Sequence, residues 1–296
     1  MAKFRDFLAL VKIGICGSTA LTALAGFALA SAGTGRSLPL GRGALAVLGT
    51  ALLVAGACAA NNWIDRDIDA LMRRTRDRPT ARGAMSAFQV LGIAACLGLS
   101  GLALLFAATP TAAALGLAGA AIYLLPYSLW AKRRGPSSLY VGGIAGSIPP
   151  LIGWAAADPR LGGPAWLLFA FLALWQQAHV RVLALKRAAE YRAAGVPMAG
   201  LPPAPGDAVR ERRARAAALA WAAAALPFPP LIISLARLPM TPALAASIAA
   251  CALGAAWPAW GLLRLRSASW PARMFAASLA YLVLAFCAIA AAGLRS

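Results

Sequence analysis

The chain has 296 residues, of which 61% are hydrophobic and only 12% are charged, and its mean hydropathy is +0.73. A water-soluble domain of this size usually carries about twice that share of charged residues, so the composition excludes an ordinary soluble enzyme. The net charge of +19 is compatible with nucleic-acid binding, but the basic residues lie between apolar segments, and we expect no nucleic-acid partner.

Apolar segments long enough to cross a bilayer recur along the whole chain. A transmembrane helix needs about 20 apolar residues, and a helix satisfies its own backbone hydrogen bonds in lipid. The sequence therefore predicts a single all-α membrane domain over residues 1–296, built as a nine-transmembrane-helix bundle. The predicted spans are 13–31, 43–60, 87–107, 110–130, 138–157, 163–185, 214–236, 240–263 and 271–293. The first apolar run lacks a convincing cleavage site, so we expect a retained helix.

Basic residues are distributed unevenly between the connecting loops. If the N-terminus is cytosolic, 22 of the 28 lysines and arginines lie on the cytosolic side and five lie on the outer side. This asymmetry follows the positive-inside rule. It predicts that the N-terminus and both acidic stretches lie in the cytosol. The Ala/Arg-rich composition favours a bacterial inner membrane, with the lipid bilayer around the protein.

A charged stretch, NNWIDRDIDALMRRTRDRPT, occupies residues 61–80 and contains four of the nine acidic residues of the chain. On a helix, Asn61, Asp65, Asp69 and Arg73 would lie on one face, because they are four residues apart. Two carboxylates and an amide offer the hard oxygen ligands that Mg²⁺ prefers, and arginines bind phosphate oxygens. The alternative is a solvated helix end in which Asp and Arg pair at i,i+4 spacing.

A second polar stretch follows the sixth predicted span and includes LWQQAHVRVLALKRAAEYRAAGVPM, residues 174–198. Seven of the nine acidic residues lie in the two stretches 61–86 and 186–213, which are on the same side of the membrane in the predicted topology. Acidic residues near membrane depth tend to be functional. The polar chemistry is therefore predicted to form one site at the cytosolic mouth of an apolar bundle.

Three smaller features carry local predictions. Gly142 and Gly146 form a G-x-x-x-G pattern that favours close helix packing. The pair Pro149-Pro150 predicts a break or bend in the fifth span. Aromatic residues at the end of the fourth span either form an interfacial belt or line the site; they are Tyr123, Tyr127 and Trp130.

The pattern N-x-x-x-D-x-x-x-D of residues 61–69 resembles the first aspartate-rich motif of the UbiA superfamily of intramembrane prenyltransferases. Residues 129–154 and 174–198 resemble two further segments of the heme-farnesylating branch of that superfamily. The resemblance covers most of residues 7–200. It implies the UbiA type of nine-helix bundle, in agreement with the spans predicted from hydropathy.

The resemblance also implies an activity: transfer of a farnesyl group from farnesyl diphosphate to a vinyl group of heme b, with Mg²⁺ as cofactor. The implied metal ligands are Asn61, Asp65, Asp69 and Glu190, of which the first three are also the implied catalytic residues. The implied contacts for diphosphate or heme propionates are Lys12, Arg73, Arg74, Arg78, Lys132 and Arg133. The residues expected to face heme are His179 and Tyr191. Further implied partners are heme A synthase or the terminal oxidase assembly machinery.

The chain departs from the pattern of the branch at three places. Near the first helix only Lys12 and Gly14 of a T-K-P-G motif are retained. Ala178 replaces a proline before His179, and Glu190 replaces the usual aspartate of the second motif. The altered first-helix and second motifs favour one alternative, a non-catalytic heme-binding paralogue that aids oxidase assembly. Two further alternatives stay open: a prenyltransferase acting on an aromatic acceptor such as a quinone precursor, and a transporter.

Overall fold

The computed structural model of this chain describes residues 2–32, 39–135, 137–198, 201, 207–236, 242–254 and 256–294, and these residues contain helices and no strands. The helices are α1 (Ala2–Val11), α2 (Ile13–Ala32), α3 (Leu40–Ile64), α4 (Arg66–Leu71), α5 (Ala87–Ala108), α6 (Pro110–Ile122), α7 (Lys132–Arg134), α8 (Ser138–Gly146), α9 (Pro149–Ala157), α10 (Gly163–Lys186), α11 (Ala188–Ala193), α12 (Ala208–Ala225), α13 (Phe228–Leu235), α14 (Pro242–Gly254), α15 (Trp257–Leu263) and α16 (Trp270–Leu294). A π-helical segment, Tyr123–Ala131, joins α6 to α7.

Within the described residues, eight helical segments are long and apolar enough to cross a bilayer. They are Ile13–Ala32, Leu40–Ile64, Ala87–Ala108, Pro110–Arg134, Ser138–Ala157, Gly163–Lys186, Ala208–Leu235 and Trp270–Leu294. Residues 240, 241 and 255 of the remaining predicted span, 240–263, lie outside the described residues; its described part contains the shorter helices α14 and α15, of 13 and 7 residues. The all-α membrane bundle is therefore confirmed, and the predicted number of nine spans is approximate.

The turn between α5 and α6 shows how local sequence sets helix ends. The Thr109 hydroxyl accepts a hydrogen bond from the Ala112 amide at 3.1 Å, and Pro110 occupies the first turn of α6. Both features favour a helix start, because the first amides of a helix lack partners within the helix. The same hydroxyl donates to the carbonyl of Ala155 at 2.9 Å, so the cap also joins α6 to α9.

The fourth span changes its winding where it approaches the polar stretch. The π-helical segment contains Pro126, which has no backbone N–H to donate. The Ser128 hydroxyl donates to the Tyr123 carbonyl at 2.7 Å, which holds this side chain against the backbone of the segment. Single turns of π-helix are common at functional sites, and this one brings Ser128 next to the buried polar residues of α3.

The fifth span is interrupted as predicted. Helix α8 ends at Gly146, and Pro149 and Pro150 open α9. The two glycines of the G-x-x-x-G pattern pack against side chains of neighbouring elements: a methyl group on Gly142 would lie 2.8 Å from the Tyr127 ring, and one on Gly146 would lie 2.3 Å from Gln176. Only glycine permits these approaches without displacing a neighbour.

Helices α2 and α9 approach each other closely through their backbones. A Cβ atom on Gly153 would lie 1.7 Å from the Ala23 carbonyl oxygen, and one on Gly26 would lie 2.0 Å from the Pro150 carbonyl oxygen. Small residues allow such contacts between membrane helices, where packing replaces the hydrophobic effect as the driving force. Around this contact the largest apolar cluster joins α2, α9, α10 and α16.

We expect Gly153→Ala to lower the thermal unfolding midpoint in detergent, with a loss of about 1–3 kcal/mol, because the added methyl group overpacks a backbone contact. The matched control is Gly92→Ala in the interior of α5, where a Cβ meets nothing within 4 Å. That substitution should be neutral or stabilising, since alanine is the better helix former. Equal midpoints for the two variants would show that the α2–α9 contact is not tight.

Candidate active site

Asn61, Asp65 and Asp69 lie on one side of the junction between α3 and α4. Asp65 stands between the two helices, yet helical hydrogen bonding continues through it: its amide donates to the Asn61 carbonyl at 2.9 Å, and its carbonyl accepts from the Asp69 amide at 2.8 Å. The four-residue spacing therefore keeps the three side chains together. Met72 has extended backbone dihedrals and ends α4, so Arg73 does not continue the predicted row and is exposed.

The three polar side chains of this row are buried. Asn61 is 2% exposed, and Asp65 and Asp69 are each 1% exposed. A solvated helix end would leave these groups in water, and no Asp–Arg pair at i,i+4 spacing occurs in this described stretch. Burying two carboxylates is costly unless cations and hydrogen bonds compensate, and the solvated alternative is therefore excluded.

Three cations compensate the buried row, one from the same charged stretch and two from distant parts of the sequence. Lys132 Nζ lies 2.5 Å from Asp65 Oδ2, and Arg78 Nη1 lies 2.6 Å from Asp69 Oδ2. Lys12 Nζ donates to Asn61 Oδ1 at 2.5 Å. All three side chains were predicted from the sequence as contacts for an anionic ligand; the structure brings them to the carboxylate row itself.

The Asn61 amide connects the row to the fourth span. Its Nδ2 donates to Asp65 Oδ2 and to Ser128 Oγ, both at 2.9 Å, while its Oδ1 accepts from Lys12. Ser128 is fully buried and was not identified from the sequence. The available signal was a serine two residues after a proline inside an apolar span, a place where a hydroxyl can satisfy freed backbone groups.

Mg²⁺ is the cofactor implied by the resemblance, and the row offers oxygen ligands that fit it. Asp65 Oδ1 is buried and has no hydrogen-bond partner in the described chain, so it retains a complete set of acceptor lone pairs inside the site. No group of three or more His, Cys, Asp or Glu is gathered for a metal among the described residues. Two carboxylates with substrate phosphates are a usual Mg²⁺ environment, so the residues fit a metal held jointly with a phosphate ligand.

Lys12 reaches the row from a strained backbone position between α1 and α2. Its φ is +53°, a left-handed conformation rare for residues other than glycine, and such strain costs about 1–3 kcal/mol. Burial lowers the pKa of the Lys12 ammonium to about 8, and the neighbouring Arg78 and Lys132 act in the same direction. A strained residue persists where its surroundings hold it in place. Here the strained backbone of Lys12 accompanies the contact between its ammonium group and Asn61.

Arg133 faces away from the row, towards Asp67. Its guanidinium makes two bonds to the Asp67 carboxylate, at 2.7 and 2.8 Å, and a third to the Ile64 carbonyl at 2.9 Å. This pairing lowers the pKa of Asp67 to about 2. Arg133 therefore binds other residues of the chain in this structure and not the carboxylate row. Its pair with Asp67 joins α7 to the α3–α4 junction.

The second polar stretch contacts the first. Glu190 accepts from Arg187 Nη1 at 3.0 Å and from the backbone amide of Arg74 at 3.3 Å. Tyr191 is buried in an apolar cluster with Ile68 and Met72 of the first stretch. The guanidinium groups of Arg73 and Arg74 are exposed and make no ion pair with any acidic residue of the described chain. One site therefore includes both stretches, with Glu190 and Tyr191 at their contact.

His179 lies on α10 and faces α16. Its ring stacks on Trp175, with centroids 4.6 Å apart, and contacts Phe275 at 4.8 Å. Nδ1 lies 2.8 Å from the Ser278 hydroxyl, which donates its proton to the Phe275 carbonyl at 2.8 Å. A hydroxyl has a single proton, so in this arrangement Nδ1 is the donor and Nε2 keeps its lone pair.

Comparisons with known proteins agree with this architecture. The sequence matches the UbiA prenyltransferase family over residues 19–291. A protein of Alkalihalophilus pseudofirmus described as "Protoheme IX farnesyltransferase" is 42% identical over 288 residues, which cover 96% of this chain and 88% of that protein. The fold is similar to that of a digeranylgeranylglyceryl phosphate synthase, with a TM-score of 0.75, 17% identity and 100% coverage of both chains.

A UbiA homolog from Archaeoglobus fulgidus, solved with GPP and Mg²⁺ bound, has a TM-score of 0.65 and 15% identity and covers 96% of this chain and 99% of its own. These structures are similar to this chain in fold, while the family match and the 42% identity concern its sequence. The buried Asn–Asp–Asp row of a helical membrane bundle and the match over residues 19–291 lead to one conclusion: the chain belongs to the UbiA prenyltransferase family.

Proposed function

We propose that this chain is a Mg²⁺-dependent farnesyltransferase that joins the farnesyl group of farnesyl diphosphate to a vinyl group of heme b, giving heme O for terminal oxidases. The observation that carries the proposal is the buried carboxylate of Asp65, which keeps one oxygen free of protein partners and binds Lys132 through the other. The relative described as "Protoheme IX farnesyltransferase" supports heme as the acceptor. The neighbour bound to GPP and Mg²⁺ supports a prenyl diphosphate donor and the metal.

In this proposal, Asp65, Asp69 and Asn61 hold Mg²⁺ together with the diphosphate, and Glu190 is a further ligand once it leaves Arg187. The metal would supply electrostatic stabilisation of the negative charge that develops on the departing diphosphate. Asn61 contributes its oxygen after Lys12 has moved, since that oxygen now accepts from Lys12.

The cations of the row have a second task in the proposed reaction. Lys132, Arg78 and Lys12 neutralise the row when no ligand is bound, and each is released when the metal takes over its partner. They then bind the diphosphate oxygens, where fixed cations lower the energy of the transition state. Arg73 and Arg74, exposed at the mouth and without ion pairs to described residues, complete the contacts to phosphate or propionate oxygens, and Arg133 would join them only by leaving Asp67.

The proposed chemistry breaks the allylic C–O bond of the donor and forms a C–C bond to the terminal vinyl carbon of heme. The positive charge then lies on the vinyl carbon next to the porphyrin, water adds there, and one proton is released; the products are heme O and diphosphate. We assign His179, through the free lone pair of Nε2, and Tyr191 to the heme-facing side of the site. The farnesyl tail gains little from leaving lipid for an apolar bundle, so recognition depends on the diphosphate head.

The proposed location is a bacterial inner membrane, with the N-terminus and both acidic stretches in the cytosol. The uneven distribution of lysines and arginines between the loops supports this orientation. Heme O would pass from there to heme A synthase or to the oxidase assembly machinery.

The test is to incubate purified protein with heme b, farnesyl diphosphate and Mg²⁺ and to follow the pigment by mass spectrometry. We expect the mass of heme to rise by one farnesyl group and one hydroxyl group, and we expect a chelator to abolish the product. Parallel reactions replace heme b with a hydroxybenzoate, or omit the donor. A prenylated hydroxybenzoate with unchanged heme would contradict the acceptor, and unchanged substrates in every reaction of folded protein would contradict the enzyme assignment.

A further inference from the structure

A second cationic groove lies where α12 meets the connection between α15 and α16. It is lined by Arg212 and by residues 262–267, and its volume is about 580 Å³. Arg212 falls at the end of the second polar stretch, but none of the lining residues is among those assigned to the proposed active site. The groove is therefore separate from the proposed active site.

The groove carries three positive charges without acidic partners. All nine acidic residues of the chain lie in its described parts, and none pairs with Arg212, Arg264 or Arg266. The two acids at the start of α12 have other partners: Asp207 pairs with Arg210 at 3.1 Å, and Glu211 pairs with Arg215. The three exposed arginines are therefore available to an anionic ligand.

The backbone that forms the groove is held in place by a buried cation. Arg215 is 8% exposed and donates through Nη1 to the carbonyls of Leu265 at 2.6 Å and Ser267 at 2.9 Å. Its guanidinium lies 5.5 Å from the ring centre of Trp270, whose Nε1 donates to the Gly261 carbonyl at 2.8 Å. These contacts fix both ends of the 264–269 connection, so the position of the groove arginines is built into the fold.

Exposed leucines adjoin the three arginines. Leu262 is 62% exposed and Leu263 is 83% exposed, although both stand at the end of a helix in a membrane bundle. Apolar side chains directly before a cationic turn match the boundary between acyl chains and headgroups. A free phosphate would use the arginines alone, whereas a phospholipid would use the arginines and the leucines.

We infer that this groove binds an anionic phospholipid, with the phosphodiester on Arg212, Arg264 and Arg266 and an acyl chain along Leu262 and Leu263. Arginines suit phosphate oxygens because their planar donors match the oxygen geometry. The connection belongs to the side of the bundle that the positive-inside rule assigns to the cytosol. The inference concerns binding, and it does not depend on the proposed reaction.

The test uses the full chain in neutral detergent micelles and counts bound lipid by native mass spectrometry during titration with phosphatidylglycerol or phosphatidylcholine. We expect phosphatidylglycerol to bind preferentially. The groove variant Arg212→Gln/Arg264→Gln/Arg266→Gln should weaken that binding at least about tenfold, because each basic residue near an anionic headgroup contributes a factor of about five. The control variant Arg5→Gln/Arg66→Gln/Arg76→Gln removes the same charge from exposed positions elsewhere and should bind as the unmodified chain does.

A second variant separates a lipid from a free phosphate. Leu262→Ser/Leu263→Ser keeps all three arginines and should still weaken binding of phosphatidylglycerol, while inorganic phosphate should not displace the lipid at equal concentration. If phosphatidylglycerol binding weakened equally in the groove variant and the control variant, the binding would depend only on the net charge of the protein, and the inference would be overturned. Displacement by inorganic phosphate, or unchanged lipid binding in both groove variants, would also overturn it.

Discussion

Replacing Asp65 with Asn should reduce kcat/KM for prenyl transfer by at least about 10³-fold, a loss of about 4 kcal/mol of transition-state stabilisation. The variant keeps the shape of the side chain but removes the negative charge from the atom proposed to hold the metal. The bundle should remain folded, because the side chain of Lys132 is 17% exposed and its ammonium can turn towards water. The measurement is the rate of farnesylated heme formation at saturating Mg²⁺.

Asp67→Asn is the matched control for that substitution. It makes the same chemical change two residues away on α4, at a carboxylate that is 60% exposed and pairs with Arg133. We expect its rate to stay within about threefold of the unmodified chain, since exposed ion pairs contribute about 0–1 kcal/mol. Similar losses in the two variants would mean that the rate follows net charge at the mouth and not a metal held by Asp65.

The second large effect concerns stability. Lys132→Met leaves the Asp65 carboxylate, which is 1% exposed, without its cation, and a buried pair broken on one side costs about 3–5 kcal/mol. We therefore expect a clear fall in the thermal unfolding midpoint of the ligand-free protein in detergent. Arg133→Gln, which breaks the exposed pair with Asp67, should change the midpoint little.

The double variant Asp65→Asn/Lys132→Met tests the reason for that fall. It removes both charges, so it should recover most of the midpoint lost in Lys132→Met while remaining inactive. Such recovery would demonstrate coupling between the two side chains, because independent sites have additive effects on the free energy of unfolding. A double variant as unstable as the sum of the single variants would refute the proposed charge compensation.

Local pattern accounts for much of what the sequence predicted correctly. Hydropathy identified the membrane helices because a span must be continuously apolar and satisfies its backbone within itself. The four-residue spacing of Asn61, Asp65 and Asp69 predicted a shared face because helical hydrogen bonding has that period, and it persists through Asp65. The break before Pro149 was likewise readable, since proline cannot donate a helical hydrogen bond.

The predicted row failed at Arg73 for a local reason that spacing does not reveal. The backbone turns to an extended conformation at Met72. The four-residue spacing therefore continues in the sequence beyond the residue at which the helix ends. The predicted span 240–263 met a similar limit: its described residues form α14 and α15, each shorter than the predicted span. Periodicity and hydropathy indicate where a helix is favoured, but they do not give the residue at which it ends.

By itself, the sequence determined an all-α membrane protein of a recognisable family and the residues that bear its acidic chemistry. The tertiary structure decided how their charges are compensated: Lys132 reaches Asp65 across 67 positions, Lys12 reaches Asn61 across 49, and Arg133 binds Asp67 instead of the row. It also brought Ser128 to the Asn61 amide. Contacts of this kind depend on which helices pack together and on the rotation of each about its axis, and no local period in the chain encodes either.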